Sequence, residues 1–115
     1  MKAFVRYTSR PTRGVPNRTE QRFLDWCEER KATGEFAIVR FEKITLVLAS
    51  GVRYTPDVWV VLRTGEVVCY EVKGFMRDDA RIKLRVAAQT FPELSFVLVQ
   101  WKAKAWVFEP VETVP

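Results

Sequence analysis

Two short stretches carry the most specific chemical pattern in the chain: Tyr54-Thr55-Pro56-Asp57, and Tyr70-Glu71-Val72-Lys73-Gly74. An acidic residue beside a strand, or an E-x-K triplet, arises by chance in many chains. Their combination is more informative. Glu71 and Lys73 lie two apart on a strand, so they point to one face, while Val68, Tyr70 and Val72 point to the other. A carboxylate and an ammonium side by side on an otherwise apolar strand are poor choices for stability alone.

Asp57 opens one strand and Glu71 closes the next. Directly opposed residues in an antiparallel pair share a face. A tight two-residue turn at Thr64-Gly65 would pair Asp57 with Val72 and turn Glu71 away. A site built from both acids therefore requires a three-residue loop containing Gly65, or a bulge.

A third carboxylate, Glu20, precedes the apolar stripe of Phe23, Leu24 and Cys27 on a helix, and lies within about 60° of it. It has two readings. With Asn17 as N-cap it completes a capping box; aimed at the sheet, it needs a cation or a metal. The two roles coexist only if the capping bond is loose. Three carboxylates and a lysine at one sheet end suit Mg²⁺, which prefers oxygen ligands.

Composition narrows the chemistry. The 115 residues contain no histidine, which removes imidazole bases and His-built zinc sites. With 19 Lys plus Arg against 14 Asp plus Glu, the net charge is +5, which fits a polyanionic partner or simply solubility. The excess gathers near the start of the chain, on Lys2, Arg6, Arg10, Arg13, Arg18 and Arg22. Cys27 and Cys69 fit no zinc or C-x-x-C spacing and read as buried, reduced thiols. No apolar run is long enough for a membrane span and there is no signal-peptide core, so the expectation is a cytoplasmic protein.

The elements that must position the candidate residues follow from periodicity. Residues 1–16 read as a basic, irregular arm with a short strand at 4–7. The rest, 17–115, reads as a single domain. Helical spacing predicts a helix over 18–32, ended by Gly34. Runs at 36–41, 44–49, 58–62 and 67–72 predict strands. A second helix runs from 78 or 79 to 90, followed by strands at 95–101 and 105–109. The expected architecture is α/β, with two helices flanking one central mixed sheet in the order helix, three or four strands, helix, two strands, α-β-β-β-α-β-β in its three-strand form.

These residues resemble the PD-(D/E)XK nuclease superfamily. Pro56-Asp57, thirteen intervening residues, then Glu71-Val72-Lys73 match its motif, and the element order matches its restriction-endonuclease-like core. The resemblance implies metal binding by Asp57 and Glu71, with the Val72 carbonyl as a further ligand and Lys73 as the catalytic lysine. It maps the superfamily's first-helix glutamate to Glu20. Within the superfamily, the small size, the basic arm and Arg53-Tyr54-Thr55-Pro56-Asp57 look like phage-type Holliday junction resolvases similar to phage endonuclease I.

The implied function is a Mg²⁺-dependent DNA endonuclease, with Mn²⁺ able to substitute, acting on branched or four-way DNA. Alternatives are a restriction- or repair-like nuclease on the same core, or an inert DNA-binding or assembly module. Arg77, Arg81 and Arg85 form an i, i+4, i+8 ridge on the second helix. Together with Arg6, Arg10, Arg13 and Arg18 they are candidate DNA contacts, and a solvated helix face is the competing explanation of the ridge. Trp59, Trp101 and Trp106 read as core, and Trp26 as a residue at the stripe's edge that could serve a protein interface. Symmetric junction cleavage implies a homodimer, joined through an exchanged arm or through the last strands with Trp106 and Phe108.

Overall fold

The computed structural model describes residues 3–7, 15–49, 51–73 and 78–112. The expected Arg10, Arg13 and Arg77 contacts lie outside these residues. The elements in chain order are β1 (Phe4–Tyr7), α1 (Arg18–Ala32), β2 (Phe36–Phe41), β3 (Ile44–Val47), β4 (Arg53–Tyr54), β5 (Val58–Leu62), β6 (Val67–Val72), α2 (Asp78–Thr90), β7 (Ser95–Lys102) and β8 (Ala105–Pro110).

Five strands form a mixed sheet in the order β2-β5-β6-β7-β8. Only β6 and β7 are parallel within it. A parallel pair needs a crossover, and α2 supplies it. The coarse expectation of a mixed α/β fold with two helices is therefore met.

The expected single sheet is not. β1, β3 and β4 form a separate three-stranded antiparallel sheet. The chain leaves the main sheet after β2, at Glu42, whose backbone has φ 50°, and returns to it at Asp57. Glu42 N–H donates to the Asp57 carbonyl at 3.0 Å and closes the neck of this excursion. The run at 44–47 is thereby turned away from the main sheet. β1 adds to β3 of its own chain, from Phe4 opposite Val47 to Tyr7 opposite Ile44.

Side-chain alternation on the main sheet fills two cores. Val58, Val60, Val68, Tyr70 and Val72 face α1 and meet Phe23 and Cys27. Cys69 and Phe96 face the other way and meet Leu84, Ala87 and Ala88 of α2 and Phe91 just after it, with Ile44 and Leu46 of β3 and Leu48 just after it. The main sheet is thus a middle layer, with α1 on one side and α2 plus the small sheet on the other.

Both cysteines are free and buried, and burial pushes each thiol up to about 12, so neither is a nucleophile near neutral pH. The tryptophans are half-buried, in keeping with a packing role. Trp26 belongs to the aromatic cluster under α1. It stacks on Phe23 at 5.2 Å, lies 5.8 Å from Phe36, and carries the Arg30 guanidinium on its face at 3.8 Å. No helix among the described residues is long and apolar enough to cross a membrane.

Candidate metal and acid–base site

The loop between β5 and β6 decides the geometry. Leu62 N–H donates to the Glu66 carbonyl at 2.8 Å, and Gly65 N–H to the Leu62 carbonyl at 2.9 Å. Residues 63–65 form the loop, with Gly65 at φ 96°, a conformation that favours glycine. Three loop residues set Val58 opposite Tyr70 and Val60 opposite Val68. Continuing that register places Asp57 opposite Glu71, as a shared site requires.

One step further, Val72 faces Pro56. Leu62 and Glu66 form a hydrogen-bonded pair, so the alternation along the ladder turns the Val72 N–H and C=O toward the β5 side. Proline has no N–H to give the Val72 carbonyl. The Val72 N–H finds another partner, the Asp57 carboxylate, at 2.8 Å. The carbonyl expected as a metal ligand therefore lies on the strand edge nearest Asp57, opposite a residue that cannot donate to it.

Glu71 is buried and held at both oxygens. Tyr54 hydroxyl donates to Oε1 at 2.6 Å, and Lys73 Nζ lies 3.4 Å from Oε2. The Lys73–Glu71 contact bears out the parity argument, since the two side chains meet on one face. Burial pulls the Lys73 ammonium down, but the adjoining Glu71 and Asp57 outweigh it and hold its pKa above the ordinary value.

Asp57 is 7% exposed. Burial, and then the charge of Glu71, push its carboxyl from the ordinary 3.8 to about 7, against the opposing pull of the Val72 N–H and Lys73. A buried carboxylate beside other carboxylates is a group that a bound cation would relieve.

Glu20 makes the expected cap and also lies close to Asp57. The capping box is present and tight: Asn17 N–H donates to Glu20 Oε1 at 2.9 Å, and Glu20 N–H to Asn17 Oδ1 at 2.8 Å. Carboxylate oxygens of Glu20, Asp57 and Glu42 nevertheless all lie within 4.8 Å of one another. A tight capping bond and a carboxylate close to Asp57 are thus compatible, because α1 begins at the same end of the sheet at which β5 begins.

The structure thus joins Glu20 to Asp57, and joins Glu71 to Lys73 and Tyr54. Glu71 is not a member of the close carboxylate trio; Glu42 takes that place. Glu42 and Tyr54 were both missed from sequence. Glu42-Lys43 separates two strand-like runs but contains neither Gly nor Asn, the residues a two-residue hairpin needs. That was the available sign that the runs do not pair. Tyr54 sits three residues before Asp57, and nothing local tells that it reaches Glu71.

Among the basic candidates, Arg6, Arg18 and Arg85 are exposed. Arg6 lies over the Phe4 ring at 5.8 Å. Arg81 is also exposed but lies 3.3 Å from Glu109 of β8, so the ridge on α2 is interrupted by an ion pair.

No family model, curated protein or solved structure matches the chain at a significant level, so the functional reading rests on its own residues.

Proposed function

We propose that this chain is a divalent-metal-dependent DNA endonuclease of the PD-(D/E)XK kind, built on a restriction-endonuclease-like core and selective for branched DNA in the manner of a phage-type junction resolvase. The observation that carries the reading is the register across β5 and β6. It sets Asp57 opposite Glu71, with Lys73 3.4 Å from Glu71 and the Glu20 carboxylate close to Asp57.

The donor set fits Mg²⁺ or Mn²⁺. Every side chain offered is an oxygen donor, and none is a thiolate or imidazole. Asp57, Glu20 and Glu42 would hold the ion, with Glu71 and the Val72 carbonyl beside them. When bound, the ion supplies Lewis acidity that offsets phosphate charge and makes water more acidic.

The chain's own groups do the remaining work. Lys73, kept protonated by Glu71, presents an ammonium that can orient an attacking water or stabilise charge growing on the phosphate oxygens. Glu71 keeps that ammonium in place. The Val72 N–H fixes the orientation of Asp57. Arg6, Arg18 and Arg85 are exposed cations for backbone phosphates, and a homodimer would supply the two sites that a four-way junction requires.

The test is a purified full chain with supercoiled plasmid, linear duplex and a four-way junction, each in Mg²⁺, Mn²⁺ or EDTA. The reading expects metal-dependent cleavage, with the junction cut at least tenfold faster than the linear duplex. Equal rates on junction and linear DNA would remove the junction preference and leave a repair- or restriction-like nuclease. No cleavage in either metal would contradict the enzyme reading.

A further inference from the structure

We propose that Tyr54 is a positioning residue for this site: its hydroxyl fixes the Glu71 carboxylate facing Asp57 and thereby sets the affinity for a divalent cation. The inference rests on reading the site as a cation centre and deepens that reading. It concerns a residue that contributes no ligand atom.

The contact is short and charge-assisted, at 2.6 Å from hydroxyl to Oε1. It is also long-range, joining β4 of the small sheet to β6 of the main one. Lys73 approaches the other oxygen, Oε2. A carboxylate offers about four lone-pair sites. Tyr54 and Lys73 use one on each oxygen, so each oxygen keeps a lone pair for a cation. Glu71 is therefore fixed in orientation without being used up.

The post that holds it is itself fixed. Tyr54 stands opposite Leu46 across β3 and β4, and Leu46 is fully buried. The Tyr54 ring packs against the cluster formed by β3, α2 and the far face of the main sheet. A glutamate side chain otherwise loses much of its rotamer freedom when it is immobilised. Where that freedom is already lost before the ion arrives, the ion binds more tightly. Partners of this kind, one shell beyond the ligands, contribute about 10–100-fold to metal affinity or activity.

The reading gives the 43–56 excursion a purpose: it carries Tyr54 back over the end of β6. A tyrosine present only to fill space would be replaced without loss by phenylalanine, which keeps the ring and removes only the hydroxyl.

The experiment compares the full-length wild type with Tyr54→Phe, Glu71→Gln and the double variant. Mn²⁺ binding is followed by calorimetry, melting is measured in EDTA, and cleavage is measured over a range of Mn²⁺ concentrations. Tyr54→Phe should bind Mn²⁺ about 10–100-fold more weakly. Its cleavage should fall at low Mn²⁺ and recover at saturation, whereas a folding defect would lower cleavage at every concentration. Because Tyr54 acts through Glu71, the affinity losses of the two single variants should not add in the double variant. Additivity would overturn the inference even if Tyr54→Phe also lowers the melting temperature. Unchanged Mn²⁺ affinity in Tyr54→Phe, with the wild type binding normally, would overturn the role of Tyr54 alone. A wild type that binds no Mn²⁺ would overturn the cation centre and the Tyr54 role together.

Discussion

Asp57 and Glu71 stand opposite each other across β5 and β6 because the loop joining the strands has three residues, the last being Gly65 at φ 96°. A connection one residue shorter would place Val72 opposite Asp57 and turn Glu71 and Lys73 to the other layer, since strand side chains alternate. The register of one hairpin thus determines which charged groups meet.

Gly65 is tested by Gly65→Ala. An added Cβ would meet nothing within 4 Å, so the cost is that of the backbone conformation alone. About 1 kcal/mol should be lost, lowering the melting temperature by about 4 °C. Mn²⁺ affinity should be unchanged, because the loop keeps its length. Thermal melting and calorimetry check both, and a loss of Mn²⁺ binding in a folded variant would show that the hairpin register had moved.

The pH dependence of stability isolates Asp57. Its folded-state pKa of about 7 lies above the ordinary 3.8, so between those values the folded chain binds more protons than the unfolded one. The stabilisation from this group is complete below about pH 4 and is lost as pH rises through 7, at up to about 1.4 kcal/mol per pH unit. Asp57→Asn removes this contribution. Denaturant unfolding in EDTA at pH 5 and pH 8 should therefore show the variant gaining on the wild type as pH rises. A constant difference would mean that the Asp57 carboxyl is not raised.

Proton and cation compete for the same carboxyl. Mn²⁺ affinity should fall about tenfold per pH unit below pH 7 and level off above it. Calorimetric titrations between pH 5.5 and 8 read this slope directly. A flat profile would place the ion away from Asp57.

Much of this arrangement was legible in the chain, for local reasons. Asn17 and Glu20 set the start of α1 by their side-chain chemistry. Parity placed Glu71 and Lys73 together, and the functional requirement on loop length pointed to the three residues that Gly65 completes. The second sheet was not legible. Ile44–Val47 and Phe36–Phe41 have the same β-branched and aromatic character, and composition cannot say which strand will be the neighbour of which. The turn-off at Glu42 is a backbone event in a residue with no special preference for it. Glu42 and Tyr54 reach the site only through that excursion, so they were missed together.

The two glutamates near Asp57 can be separated. Glu20→Gln keeps an oxygen for the Asn17 N–H, so α1 should remain capped and the melting temperature should move by little. Glu42→Gln keeps the backbone bond to Asp57. Each should weaken Mn²⁺ binding and slow cleavage by at least tenfold if its carboxylate lies in the ion's coordination shell. Wild-type affinity in Glu20→Gln would return that residue to capping alone, and wild-type affinity in Glu42→Gln would exclude it from the ion's shell.

We propose that the sheet end bearing Asp57 and Glu71 hydrolyses DNA with a divalent ion. The most direct measurement is cleavage of a four-way junction in Mg²⁺ by the wild type and by Asp57→Asn, with melting curves showing both to be folded. The amide introduced by that substitution can still accept a hydrogen bond from Val72 N–H but brings no charge to the ion. The wild type should cleave in a metal-dependent way, and the folded variant at a rate at least a thousandfold lower, about 4 kcal/mol in barrier. Cleavage by Asp57→Asn within a fewfold of the wild type would contradict it.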